Sequence, residues 1–183
     1  PARLDGRPWR ERVEVAEADV GELEQVRAAL EGVDVAYYLV HALGSGSRFE
    51  QKDRDTARTF ARAAREAGGR RIVYLGGLVP DEEELSPHLA SRTEVGEILL
   101  ASGVPTTVLR SAVILGSGSA SFEMMRYLTE RLPAMTAPRW VDTRIQPIAI
   151  RDVLHYLVGS ARMPAHVNRA FDIGGPDVLR YGQ

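Results

Sequence analysis

The sequence predicts an α/β domain built on a doubly wound parallel sheet, and three observations carry that expectation. Nearly continuous apolar runs such as VDVAYYLV (33–40) suit strands buried on both faces, the usual position of parallel strands between two helical layers. Between these runs lie segments with apolar residues at helical spacing, in regular alternation with the strands. Glycines stand where those helical segments should end, at Gly32, Gly68, Gly69 and Gly103.

The elements follow in order. ERVEVAEADV (11–20) alternates apolar and charged positions through Val13, Val15 and Ala18, the period of a strand, and predicts a first strand ending at Asp19. Leu23, Val26 and Leu30 then predict a short helix, followed by the strand at 33–40. A helix over about 49–67, a strand at 71–75, a helix from Ser86 towards Gly103 and a strand from 106 running on to 115 complete the regular part. Ser86 and Pro87 make a sound helix start, because serine caps a free N–H and proline lacks only an N–H that would be unpaired there. His88 then lies in the first turn and Arg92 one turn later on the same face.

Beyond Leu115 the rhythm loosens. GSGS (116–119) leads to a helix at about 121–132, a connection rich in Pro, Arg and Trp, and TRIQPIAI (143–150), where Pro147 suits an edge because it cannot donate to a ladder. Asp152 is placed to cap a helix with Val153, Leu157, Val158 and Ala161 on its apolar face, and AFDI (170–173) reads as a short strand before a glycine turn. No repeat or linker interrupts the chain, so 1–183 reads as one domain with 116–183 as its C-terminal extension.

Composition narrows the function. With 44% hydrophobic and 26% charged residues the chain suits a folded core, and a formal net charge of -2 gives no global attraction to nucleic acid. No apolar run reaches the roughly 18 residues that a membrane-spanning helix needs. The absence of cysteine removes disulfides, thiolate nucleophiles and cysteine metal sites, and makes the cytoplasm the expected location. The histidines at 41, 88, 155 and 166 lack the paired spacing of a zinc site, so no metal is expected.

In an open parallel sheet, ligands bind beyond the carboxyl ends of the strands. Those ends carry Asp19, then Val40 and His41 with Gly44 and Gly46, then Gly76 and Gly77, then Ser111 followed by Gly116 and Gly118. Glycines gathered on one rim let a ligand approach the backbone closely. A Gly-x-Gly-x-x-Gly turn between a first strand and helix is missing, because PARLDGRPW (1–9) reads as a loop.

Four segments, ADVGELEQVRAALEGVD (18–34), RIVYLGG (71–77), PIAIRDV (147–153) and FDIGGP (171–176), resemble in order and spacing the atypical short-chain dehydrogenase/reductases, which group with the NmrA-like and NAD-dependent epimerase/dehydratase proteins. The resemblance implies a Rossmann-like sheet and NAD or NADP as cofactor. It also implies a chain that starts after the family's first two strands, which would stand between the strand ending at Asp19 and the one ending at His41. A polypeptide with that gap would expose two strand edges and is expected to be unstable or to associate.

The same resemblance implies residue roles. Asp19, with Val20, would meet the adenine amino group; Val40, His41 and Gly44 would pass the ribose and nicotinamide; Ser111, Ala112 and Val113 would meet the carboxamide. His88 and Arg92 stand in the place of the family's Tyr-x-x-x-Lys pair, with the imidazole transferring a proton and the guanidinium holding the ribose. Gly76 and Gly77 stand where the family has a serine or threonine and offer only backbone N–H groups. A second departure is Ser111, where extended members usually have proline after the arginine matching Arg110. Phe122, Met124, Met125 and Trp140 would form the outer pocket wall, and Glu94 and Glu97 would be plain helix surface.

Two functions stay open on this reading. One is an NAD(P)-dependent oxidoreductase or epimerase/dehydratase-like enzyme acting on a small organic carbonyl or quinone. The other is a non-catalytic NADP(H)-sensing regulator or assembly subunit. Either would have a small molecule or nucleotide as partner, with a homo-oligomer or protein partner open.

Overall fold

The structure, a computed structural model, describes residues 4, 6–41, 47–79, 85–116, 123, 126–127, 130–131 and 144–180. In chain order it contains a 3-10 turn (Arg10–Arg12), α1 (Leu23–Ala29), β1 (Val35–Tyr38), α2 (Ser47–Glu66), β2 (Arg71–Gly77), α3 (Pro87–Leu100), β3 (Thr106–Ser111), β4 (Ile114–Leu115), β5 (Arg144–Ile145), β6 (Ile148–Ala149), α4 (Ile150–Ser160), β7 (Arg169–Ile173) and β8 (Leu179–Arg180). The main sheet has the order β1-β2-β3-β7, and every pairing in it is parallel. Two small ladders stand apart from it: β4 with β6, parallel, and β5 with β8, antiparallel.

Alternate residues of the strands feed opposite cores, as a period of two requires. Ile72 and Tyr74 of β2 join Tyr38, Phe60, Leu99 and Val108 beneath α1, α2 and α3. Val73 joins Leu109, Ile148, Val153, Leu157 and Ile173 beneath α4. Helices therefore cover both faces of the sheet, which is the doubly wound arrangement the apolar runs predict. Gly68 and Gly103, beyond the ends of α2 and α3, have φ values of 75° and 83°, a conformation that disfavours any side chain.

The amino end of the sheet is closed by Arg71, only 3% exposed. Its guanidinium donates to Thr107 Oγ1 at 2.9 Å, to the carbonyls of Val167 and Met163 at 3.1 Å, and to that of Pro164 at 2.7 Å. Burial pushes its pKa down, and these four acceptors are neutral. Asn168 adds a second tie, accepting from the Thr106 amide and donating to the Leu100 carbonyl.

Several expectations need correction. No strand forms over 11–20: residues 13–19 pair with no neighbour among the described residues, and Val13 and Val15 are 43% and 39% exposed. Alternation makes a segment able to be a strand, but a ladder needs a partner, and β1 pairs only with β2. The strand expected to run from 106 to 115 divides, because both neighbours of β3 end their registers at Ser111, against Gly77 and Ile173. Residues 114–115 pair instead with β6. Asp152 does not cap α4, which begins at Ile150 with Ala149 as an N-cap without a side-chain bond. Asp152 lies instead in the first turn, where a carboxylate suits the helix dipole.

Candidate functional site

β1 and β2 stay paired as far as Tyr38 and Tyr74, while β2 continues beside β3 to Gly77 and Ser111. A crevice therefore opens between the carboxyl ends of β1 and β2. The Ile72 amide donates to the Pro105 carbonyl and the Leu78 amide to the Ser111 carbonyl, so even-numbered residues of β2 turn their backbone groups towards β3. The Arg71 amide donates to the Asp34 carbonyl on the other side. By this alternation the carbonyl of Leu75 and the backbone groups of Gly77 face the crevice.

Arg92 reaches that point. Its Nη2 donates to the Leu75 carbonyl at 3.1 Å, and its Nε is buried without a hydrogen-bond partner. The first turns of α3 that carry Arg92 are fixed from three sides. Ser86 Oγ accepts from the Leu89 amide at 3.4 Å and Pro87 opens the helix, as the sequence predicts. Ser91 Oγ donates to Asp53 Oδ2 at 3.1 Å across the α2–α3 interface. Tyr74 donates its hydroxyl to the Arg92 carbonyl at 3.2 Å. Burial pushes the Tyr74 phenol up to about 12, against an opposing pull from Arg92.

His88 is exposed and leans the other way, its ring 6.5 Å from that of Phe49 in α2. Thus the two residues share a helix face but differ in neighbours, Arg92 against β2 and His88 against α2. Glu94 is more than helix surface, because it pairs with Arg54 of α2 at 2.9 Å.

Gly76 and Gly77 make room for the protein's own packing. A Cβ on Gly76 would lie 3.2 Å from the Tyr74 ring, and one on Gly77 would lie 2.8 Å from Leu89 Cδ2. Leu89 thus stands where a side chain at position 77 would begin, and the crevice meets backbone groups and an aliphatic side chain there.

Asp19 is held in a tight turn, Oδ1 accepting from the Gly21 amide and its own amide donating to Gln25 Oε1, each at 2.9 Å. It faces α2 across an open cleft of about 480 Å³, with Gln51, Lys52, Thr56 and Thr59 on the far side. Val20 packs against the core. Val40 and His41 are exposed at the end of β1. Ser111 is buried, with its carbonyl held by Leu78; Ala112 and Val113 are half-buried, and the Val113 carbonyl accepts from Ile148 at 3.0 Å. Gly44, Phe122, Met124, Met125 and Trp140 lie outside the described residues.

Asp53, Tyr74 and Leu89 escaped the sequence reading. Asp53 carried a signal, since it falls four residues before Ala57 and seven before Phe60 on the buried face of α2. Tyr74 and Leu89 are apolar-pattern residues whose polar or steric role depends on tertiary neighbours.

A family model described as NAD(P)H-binding matches residues 1–131. The chain is a member of this NAD(P)H-binding family. Membership brings an NAD or NADP cofactor, and the open cleft beside the Asp19 turn is lined by polar side chains of a kind that suits such a dinucleotide. A ceramide reductase of Caulobacter vibrioides is 26% identical over 159 residues, which cover 85% of this chain and 50% of the relative. Among solved structures, a nucleoside-diphosphate-sugar epimerase from Staphylococcus aureus matches 98% of the chain and 61% of its own, with TM-score 0.75 and 18% identity. A dTDP-glucose 4,6-dehydratase from Streptomyces venezuelae, with NAD bound, matches 98% and 63%, with TM-score 0.74 and 16% identity. These likenesses establish the Rossmann-like fold of this NAD(P)H-binding chain, which spans about half the length of the curated relative. No helix among the described residues is long and apolar enough to cross a membrane.

Proposed function

We propose that this chain carries the nicotinamide end of an NAD(P)-dependent oxidoreductase of the atypical short-chain dehydrogenase/reductase kind, acting on a small organic carbonyl or quinone in the cytoplasm. The observation that carries the reading is the placement of the Arg92 guanidinium at the carboxyl end of β2, where Nη2 donates to the Leu75 carbonyl on the side away from β3.

When bound, the nicotinamide supplies hydride chemistry. The residues of the chain do the rest. Arg92 holds the ribose, kept in place by Tyr74 at its carbonyl. The Asp19 turn receives the adenine across its cleft from α2, with Val20 behind it. Val40, His41 and Gly44 border the ribose, and Ser111, Ala112 and Val113 border the carboxamide. His88 gives or takes the proton at the substrate oxygen, and Gly77 offers its backbone N–H in place of a hydroxyl.

Titrating NADPH and NADH into the protein that contains this chain tests the reading. Arg92→Met should weaken the tighter cofactor by about tenfold or more, the usual value of a charged hydrogen bond, and Arg92→Lys should weaken it less. His88→Ala should keep cofactor affinity and lose turnover, whereas unchanged turnover would remove His88 as the acid. The second reading, a non-catalytic NADP(H) sensor or assembly subunit, is favoured by the missing hydroxyl at Gly76 and Gly77. It predicts tight cofactor binding that neither His88→Ala nor any carbonyl compound alters.

A further inference from the structure

Asp53 is a buried acid that the chemistry above does not use. It is 6% exposed and accepts from Ser91 Oγ at 3.1 Å, and Ser91 is itself 3% exposed. A carboxylate is costly to take out of water, and the best-attested return on such a group is the register it imposes on its neighbours.

The α2–α3 interface has need of a register. On α2 the buried stripe that begins at Asp53 continues with Ala57, Ala61 and Ala64; on α3 the stripe that begins at Ser91 continues with Val95 and Leu99. The apolar members belong to one core cluster. Alanine gives shallow ridges, which oppose sliding of one helix along the other only weakly. The Asp53–Ser91 bond is directional: a slip of one turn, about 5.4 Å, would set the methyl groups of Val95 in place of the hydroxyl. The neighbouring ion pair, Arg54 with Glu94 at 2.9 Å, is 25% and 38% exposed and contributes less under solvent screening.

Ser91 precedes Arg92 in the chain, and these two consecutive residues are tied to different elements. Ser91 is held by α2, whereas the Arg92 carbonyl accepts from Tyr74 of β2 and Arg92 Nη2 donates to the Leu75 carbonyl. The bond to Tyr74 fixes how close α3 lies to the sheet. The bond to Asp53 fixes where α3 lies along α2.

Resting on the reading that Arg92 holds the cofactor, we infer that Asp53 is a positioning residue: its bond to Ser91 sets the register of α3 and so places the Arg92 guanidinium at the carboxyl end of β2. Asp53 acts through Arg92 and touches neither cofactor nor substrate.

The test uses the full protein containing this chain, with NADPH affinity read from bound-nicotinamide fluorescence and folding checked by thermal melts. Ser91→Ala should weaken NADPH binding by about tenfold, well within what a misplacement of about 1 Å can cost. In an Arg92→Met background the same substitution should change the affinity by less than about twofold, because the group being positioned is gone. Asp53→Ala should weaken binding as Ser91→Ala does. The conservative Asp53→Asn, which still accepts from Ser91, should recover most of the loss. Ser91→Cys keeps the shape with only a weak donor and replaces Ser91→Ala in the comparison should that variant fail to melt cooperatively.

Unchanged affinity in the position 91 variant, or equal losses with and without Arg92, overturns the inference while NADPH binding by the unmutated protein stands. An unmutated protein that does not bind NADPH overturns the cofactor reading, and this inference with it.

Discussion

At the scale of single residues, the site depends on side chains whose polar work is hidden in an apolar pattern. Tyr74 sits in a buried strand between Gly76 and Ile72, yet its hydroxyl donates to the carbonyl of Arg92. Its phenol titrates at about 12 in the folded protein against about 10 in an unfolded chain. The unfolded state therefore loses its proton first. The stability that depends on a neutral Tyr74 is fully present below about pH 10 and is lost as pH rises towards 12, by on the order of 2 kcal/mol. Urea melts at stepped alkaline pH should show Tyr74→Phe about 1 kcal/mol less stable near neutrality, from the lost hydrogen bond, and less sensitive to pH between 10 and 12. An equal alkaline decline in both proteins would remove Tyr74 as its source. The position of His88 and Arg92 was legible beforehand, because a serine–proline start fixes helical phase. Their separate neighbours were not, since Phe49 and Leu75 come from distant parts of the chain.

At the scale of elements, α3 shows how a local signal becomes a site. Its start is set by the Ser86 side chain and by Pro87, and its depth on the sheet by Gly77 and Gly96, where a Cβ would lie 2.8 Å from Leu89 and 3.5 Å from Val108. Ser86→Ala should lower stability by about 1 kcal/mol, the usual loss of an N-cap, with Ser86→Gly losing only a few tenths. Thermal melts of the two variants check the order, and equal losses would argue against capping. Helices and the strands β1, β2 and β3 were legible because period and caps are written locally. The segment 11–20 was misread for the opposite reason: a strand is completed by its neighbour, and that neighbour is invisible in the ten residues themselves. The division between β3 and β4 has the same origin, since the ends of β2 and β7 decide where β3 stops.

At the scale of the whole molecule, apolar surface gathers on one side. Ile150, Leu154 and Val158 form an exposed stripe one turn apart along α4, and Tyr37, 40% exposed, donates from β1 to the Leu157 carbonyl of the same helix. Among the described residues, the outer edge of β1 has no partner in the sheet. An open strand edge beside an apolar stripe invites pairing with another surface. The 183-residue polypeptide by itself should therefore associate, and Leu154→Glu should shift it towards monomer in sedimentation or light scattering. A cooperative melt at monomeric hydrodynamic radius from the unmutated polypeptide would contradict this.

β2 joins the two ends of the molecule within seven residues, from the Arg71 clamp to Gly77 at the crevice. Because the clamp lies a full strand length from the ligand edge, residues such as Leu39, Leu78 or Leu89 can be exchanged without disturbing it. The strand thus works as a plate fixed at one end with an adjustable rim at the other: substitutions at the rim alter what is bound and leave the anchored end intact.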